Sequence, residues 1–150
     1  MKTSVSLIAI LGMLLPVASL EAAPASKKIG GFTAGQKFKL TVTEKKSVKV
    51  KPGSGKKNVD VPNGIPDFSK GQTVTFTIGK SGQLRGPGFS IVYRDTDDGE
   101  NYYANKGRNG EVASVEKNKK NVPKEATLIF YKNSFSGVRP INYTVKYEFE

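Results

Sequence analysis

The chain has 150 residues, with 24 Lys and Arg against 13 Asp and Glu, a net charge of +11, and no histidine, cysteine or tryptophan. Disulfides and thiol nucleophiles are therefore excluded, the usual general base near neutrality is missing, and zinc would lack its common ligands. No nucleophile elbow, phosphate loop or dinucleotide fingerprint occurs either, so the composition speaks against an enzyme.

The first 22 residues read as a secretory signal peptide. Lys2 supplies a positive start, "SVSLIAILGMLLPVA" is an apolar run of the right length, and "SLEAAPA" offers small residues for cleavage after Ala22 or Ala25. The run is shorter than the roughly 20 residues that span a bilayer. No second apolar run follows, so no transmembrane segment is expected in the mature chain. About 125 residues remain, enough for one domain, which must be held by its core because the disulfides common in small secreted domains are missing. Residues 23–35 read as an N-terminal extension and 36–150 as the domain. The expected address is the periplasm or the extracellular space.

Along the chain, period-two alternation of apolar and polar residues marks strands. Phe38, Leu40 and Val42 alternate with Lys37, Lys39, Thr41 and Thr43. Val48 and Val50 alternate with Lys49 and Lys51, after "TEKKS", which is expected to fold the chain back as a hairpin. Val74, Phe76 and Ile78 alternate with threonines; Phe89, Ile91 and Tyr93 follow, then Leu128 and Phe130. The last stretch sets Ile141, Tyr143, Val145, Tyr147 and Phe149 against Asn142, Thr144, Lys146 and Glu148. Clusters such as "KPGSGKKN", "VPNGIPD" and "GKSGQLRGPG" separate these runs as turns. The expected fold is all-β, an antiparallel β-sandwich of about seven or eight strands, with a partly open barrel as the alternative.

One element is written twice. "GFTAGQKFKLTVT" and "DFSKGQTVTFTIG" share Phe32/Phe68, Gly35/Gly71, Gln36/Gln72 and Thr41/Thr77. A glycine able to take positive φ just before an extended run implies a turn that opens a strand, with the phenylalanine folded over the sheet end. Duplication of a half-domain is the alternative.

The charge is uneven. Between Ser26 and Lys57 stand ten lysines and one acid, Glu44. In the expected hairpin Lys37, Lys39, Lys49 and Lys51 share the solvent face, with Lys45 and Lys46 at its tip. Such a field either protects a sheet edge or attracts an anionic partner. Export and the lack of exposed aromatics among the lysines turn the expectation from nucleic acid to an anionic polysaccharide or envelope polymer.

Two further groups are candidates. "RDTDDGENYY" gathers Asp95, Asp97, Asp98 and Glu100 around an Asp-Gly turn, where facing carboxylates could hold calcium, although the EF-hand spacing fails. Tyr102 and Tyr131 are expected to face outward and could stack on a ligand. No other cofactor is expected. The composite expectation is an exported, non-enzymatic binding or structural protein that contacts anionic surface polymers through a lysine-rich hairpin. The alternative is a protein–protein accessory module (a subunit, inhibitor or docking factor) with an unidentified protein partner.

Overall fold

The computed structural model describes residues 28–94, 101–105, 109–137 and 139–150. Among them are twelve strands and no helix, hence none long and apolar enough to cross a membrane. The strands are β1 (Lys28–Ile29), β2 (Phe32–Thr33), β3 (Lys37–Lys51), β4 (Gly55–Asn58), β5 (Thr73–Ile78) and β6 (Leu84–Gly86). They continue with β7 (Phe89–Ile91), β8 (Tyr93–Arg94), β9 (Asn101–Asn105), β10 (Glu111–Lys117), β11 (Pro123–Ser136) and β12 (Arg139–Phe149). Every pairing is antiparallel: β1 and β2 form a small sheet of their own, and the rest follow the order β7–β6–β5–β3–β12–β11–β10–β9–β8, with β4 added to β3. Only Val92 separates β7 from β8, so the path nearly closes on itself.

The all-β fold is thus a barrel-like sandwich whose two sheets share β3 at one corner. β3 runs for 15 residues, and its first part pairs with β5 while its second pairs with β12. The "TEKKS" stretch expected to turn is instead the middle of this strand. Between the two parts the register slips: Phe149 faces Val42, Glu148 faces Glu44, and Thr43 has no partner. This is a β-bulge, which bends a strand and inverts its alternation. Phe38, Leu40 and Val42 face the core before it, and after it Lys45, Ser47 and Lys49 stand opposite inward-facing Tyr147, Val145 and Tyr143. Strands that change sheets at a bulge are the usual device for such corners.

The core is aromatic. Phe76 packs against Phe38 at 5.1 Å and edge-on against Phe149 at 5.2 Å, and Phe68 meets Tyr147 edge-on at 5.2 Å. Tyr147, fully buried on β12, donates its hydroxyl to the Pro66 carbonyl at 2.7 Å and accepts from the Phe68 amide at 3.4 Å. It thereby fastens the segment between β4 and β5 over the sheet. Residues 28–35, read from sequence as lying ahead of the domain, are packed into it. Phe32 is fully buried, and Lys117 donates to the Gly30 carbonyl at 2.8 Å with its ammonium 5.2 Å from the Phe32 ring.

The repeated element is a pair of turns related by a local two-fold relation. Thr33–Gln36 and Ser69–Gln72 are each closed by the Gln amide donating to the first residue's carbonyl, at 2.9 and 3.0 Å. In each the Gln Oε1 accepts from that same residue's amide, at 3.1 and 2.9 Å. Gly35 and Gly71 take φ of 85° and 84° at the third position, as a type II turn requires. Each turn then bonds the other copy's strand, Gly35 N to Ile78 O at 2.7 Å and Gly71 N to Val42 O at 2.8 Å. Both phenylalanines are buried beneath. Reciprocal closing of β3 and β5 is a structural role and accounts for the repeated Gly-Gln pairs and for Thr33 and Ser69.

A Cβ at Gly35 or Gly71 would meet no atom within 4 Å, so Ala at either site is expected to cost about 1–2 kcal/mol through backbone strain alone. Denaturant titration checks this, with Lys70→Ala as the neutral comparison. Burial pushes the Tyr147 phenol up to about 12, and burial followed by nearby Tyr93 pushes Tyr103 up as well. The folded state keeps neutral what the unfolded chain ionises near pH 10. This stabilisation is complete below pH 10 and is lost as pH rises through about 12. Unfolding midpoints should fall across that window. Tyr147→Phe should be less stable by about 1–3 kcal/mol at neutral pH, because the Pro66 carbonyl loses its donor, and its alkaline decline should be shallower.

Candidate anion-binding hairpin

The hairpin that exists lies one strand later than the sequence reading placed it. β3 turns at Pro52 and Gly53, with Ser54 N donating to Lys51 O at 3.1 Å, and returns as β4 in the register Lys51↔Gly55, Val50↔Lys56, Lys49↔Lys57, Val48↔Asn58. Pro followed by Gly at the two central positions is a type II signature, stronger than anything in "TEKKS".

Register and alternation together decide which lysines meet. Lys49 and Lys57 are directly opposed, and Lys51 follows on the same face. With Ser54 and Gly55 they line a recess of about 280 Å³. No carboxylate lines it, and among the described residues no ion pair involves Lys49, Lys51 or Lys57. The Lys49 ammonium lies 5.6 Å from the Tyr143 ring centroid, which holds the side chain against the sheet. Three ammonium groups, a hydroxyl and the turn backbone can hydrogen-bond an anion's oxygens.

The six lysines expected to act together are dispersed. Lys49 and Lys51 line the recess. Lys37 and Lys39 lie before the bulge, on the outer face of the β3–β5 pair, opposite Thr77 and Thr75. Lys45 is paired with Asp67 at 2.5 Å. Lys46 faces Lys146 on the outer surface, where Lys146 bonds Glu148 and holds that carboxyl below its usual range. Lys57 and Ser54 were missing from the expected group, and Pro52-Gly53 was the signal that would have brought them in. Asp95, Asp97, Asp98 and Glu100 lie outside the described residues, between β8 and β9; among the described residues no group of three or more acids is placed to hold a metal. Tyr102 stands opposite Ser114 in the β9–β10 register, its side chain outside the described set. Tyr131 is 40% exposed on β11.

Comparison with protein-family models, with curated proteins and with solved structures gave no match.

Like charges directly opposed on paired strands cost stability. Lys57→Glu is therefore expected to stabilise the fold by roughly 0.2–1 kcal/mol at low salt and by much less in 1 M salt, where screening is nearly complete. Thermal melts at the two ionic strengths check this.

Proposed function

We propose that this is an exported, non-enzymatic binding protein that contacts anionic surface polymers through the β3–β4 hairpin. The observation that carries this reading is the recess in which Lys49, Lys51 and Lys57 converge without a carboxylate. A solubility role would be served equally well by lysines scattered singly, whereas opposed lysines around one recess cost stability and suit a shared anionic ligand.

The charge pattern supports it. Glu116, Glu125, Glu148 and Glu150 line a separate recess, and Glu44, opposite Glu148, stands seven residues before Lys51, roughly 20 Å away along an extended strand. That exceeds the screening length at physiological salt; nearer stand Asp60, two residues beyond β4, and Asp67, which is paired with Lys45, so the recess lysines remain in excess. The ligand would present closely spaced anionic groups, and the acidic end would orient the approach.

The test is retention of the purified protein on anionic polymers across a salt series, beside Lys49→Gln/Lys51→Gln/Lys57→Gln. Wild-type affinity should fall linearly in log–log form, and the triple variant should lose about two to three units of slope while keeping its near-ultraviolet dichroism. Equal behaviour of the two proteins would make the lysines edge protection and withdraw the proposal.

A further inference from the structure

The reverse face of the same strands carries a second arrangement that the lysine recess does not use. On β11 the outward positions are Tyr131, Asn133 and Phe135, with the two rings 40% and 55% exposed. Across from them on β12 stand Thr144, Asn142 and Pro140. Val48 and Val50 of β3 continue the surface, and Lys56 of β4 lies beside Val50. Val50, Gly110, Tyr131, Asn133, Asn142 and Thr144 line an open groove of about 460 Å³.

The groove has a physical cause. Gly110 exchanges backbone hydrogen bonds with Tyr131, at 3.1 and 2.7 Å, and has no side chain to fill the surface there. The Tyr131 ring runs beside it, 3.6 Å from where a Cβ would be. The missing side chain at Gly110 thus leaves the Tyr131 ring uncovered on that side, as one wall of the groove. Phe135 stands four residues further along the strand, roughly 13 Å away.

We propose that this face binds a sugar chain bearing carboxylates, a uronic-acid oligosaccharide, with rings stacked on Tyr131 and Phe135. Three features select this ligand. A pyranose has apolar CH faces and hydroxyl edges, and here the two rings alternate with the amides of Asn133 and Asn142, which donate and accept at once. Asn133 separates the two rings along β11, and Thr144 and Asn142 separate them from Val48 and Val50, so polar groups interrupt the apolar ones, unlike the core of a protein interface. Cations border the groove, Lys56 beside Val50 and Lys46 two positions before Val48 on the same face, which complements a carboxylated sugar. The inference rests on the preceding reading only for the polymer class; Tyr143 borders the groove and also lies under the Lys49 ammonium, but the residues varied in the two tests are distinct, so the readings can fail separately.

The experiment titrates the purified protein with two probes, oligogalacturonate and inorganic polyphosphate, by calorimetry. Tyr131→Ala/Phe135→Ala is expected to weaken oligogalacturonate about tenfold or more and to leave polyphosphate within twofold. Lys49→Gln/Lys51→Gln/Lys57→Gln is expected to weaken polyphosphate about tenfold or more and to leave oligogalacturonate within twofold. Asn133→Ala/Asn142→Ala, which leaves both rings in place, should also weaken the sugar and serves if the aromatic variant does not fold. Oligogalacturonate binding that ignores both groove variants, or no such binding by wild type, overturns the inference and leaves the hairpin reading standing. Polyphosphate binding that the lysine variant leaves unchanged, with groove-dependent sugar binding intact, overturns the hairpin reading and supports this one.

Discussion

Thr43, the unpaired residue at the β3 bulge, is the point on which the architecture turns. An extra residue in one strand of an antiparallel pair bends that strand and inverts the side-chain alternation beyond it. Here the bend lets β3 serve both sheets, pairing with β5 before it and β12 after it. The inversion has a chemical consequence. Lys37 and Lys39 stay on the outside of one sheet, whereas Lys49 and Lys51 are carried to the other parity of the next. Without the bulge the four would share a face; with it, Lys49 and Lys51 join Lys57 instead.

The rest of the frame keeps this corner in place. The turns at Gly35 and Gly71 each close their own strand and bond the partner strand, so β3 and β5 are secured at both ends by the same chemistry. Tyr147 holds the segment before β5 through Pro66 and Phe68 while sitting inside the aromatic core. A core of this kind suits a chain without disulfides, because large rings supply much buried apolar area per residue and edge-to-face geometry fixes their orientation.

The high positive charge is divided among roles. Lys117 bonds Gly30, Lys132 bonds the Asn63 carbonyl, Lys45 pairs with Asp67, and Lys146 with Glu148. These lysines fasten loops or balance acids. The hairpin lysines do neither, which is why the recess at β3–β4 stands out against a generally basic surface. The aromatic and amide face behind it shares the strands but offers different chemistry, stacking and hydrogen bonding in place of charge.

Much of the fold was legible in the residues. Strict alternation in Phe38–Val42, Val74–Ile78 and Ile141–Phe149 determined which side chains enter the core, since a strand's period of two admits only one buried face. The Phe-x-x-Gly-Gln repeat likewise announced its turns, because glycine alone takes that φ cheaply. Tertiary structure decided what alternation cannot see. The bulge at Thr43 depends on two sheets meeting there, and nothing local in "TVTEKK" distinguishes it from a turn. The meeting of Lys49 with Lys57, and of Tyr131 with Gly110, is a matter of register between strands. Register is set by the packing of the whole barrel, so both candidate surfaces came into view only when the strands were paired.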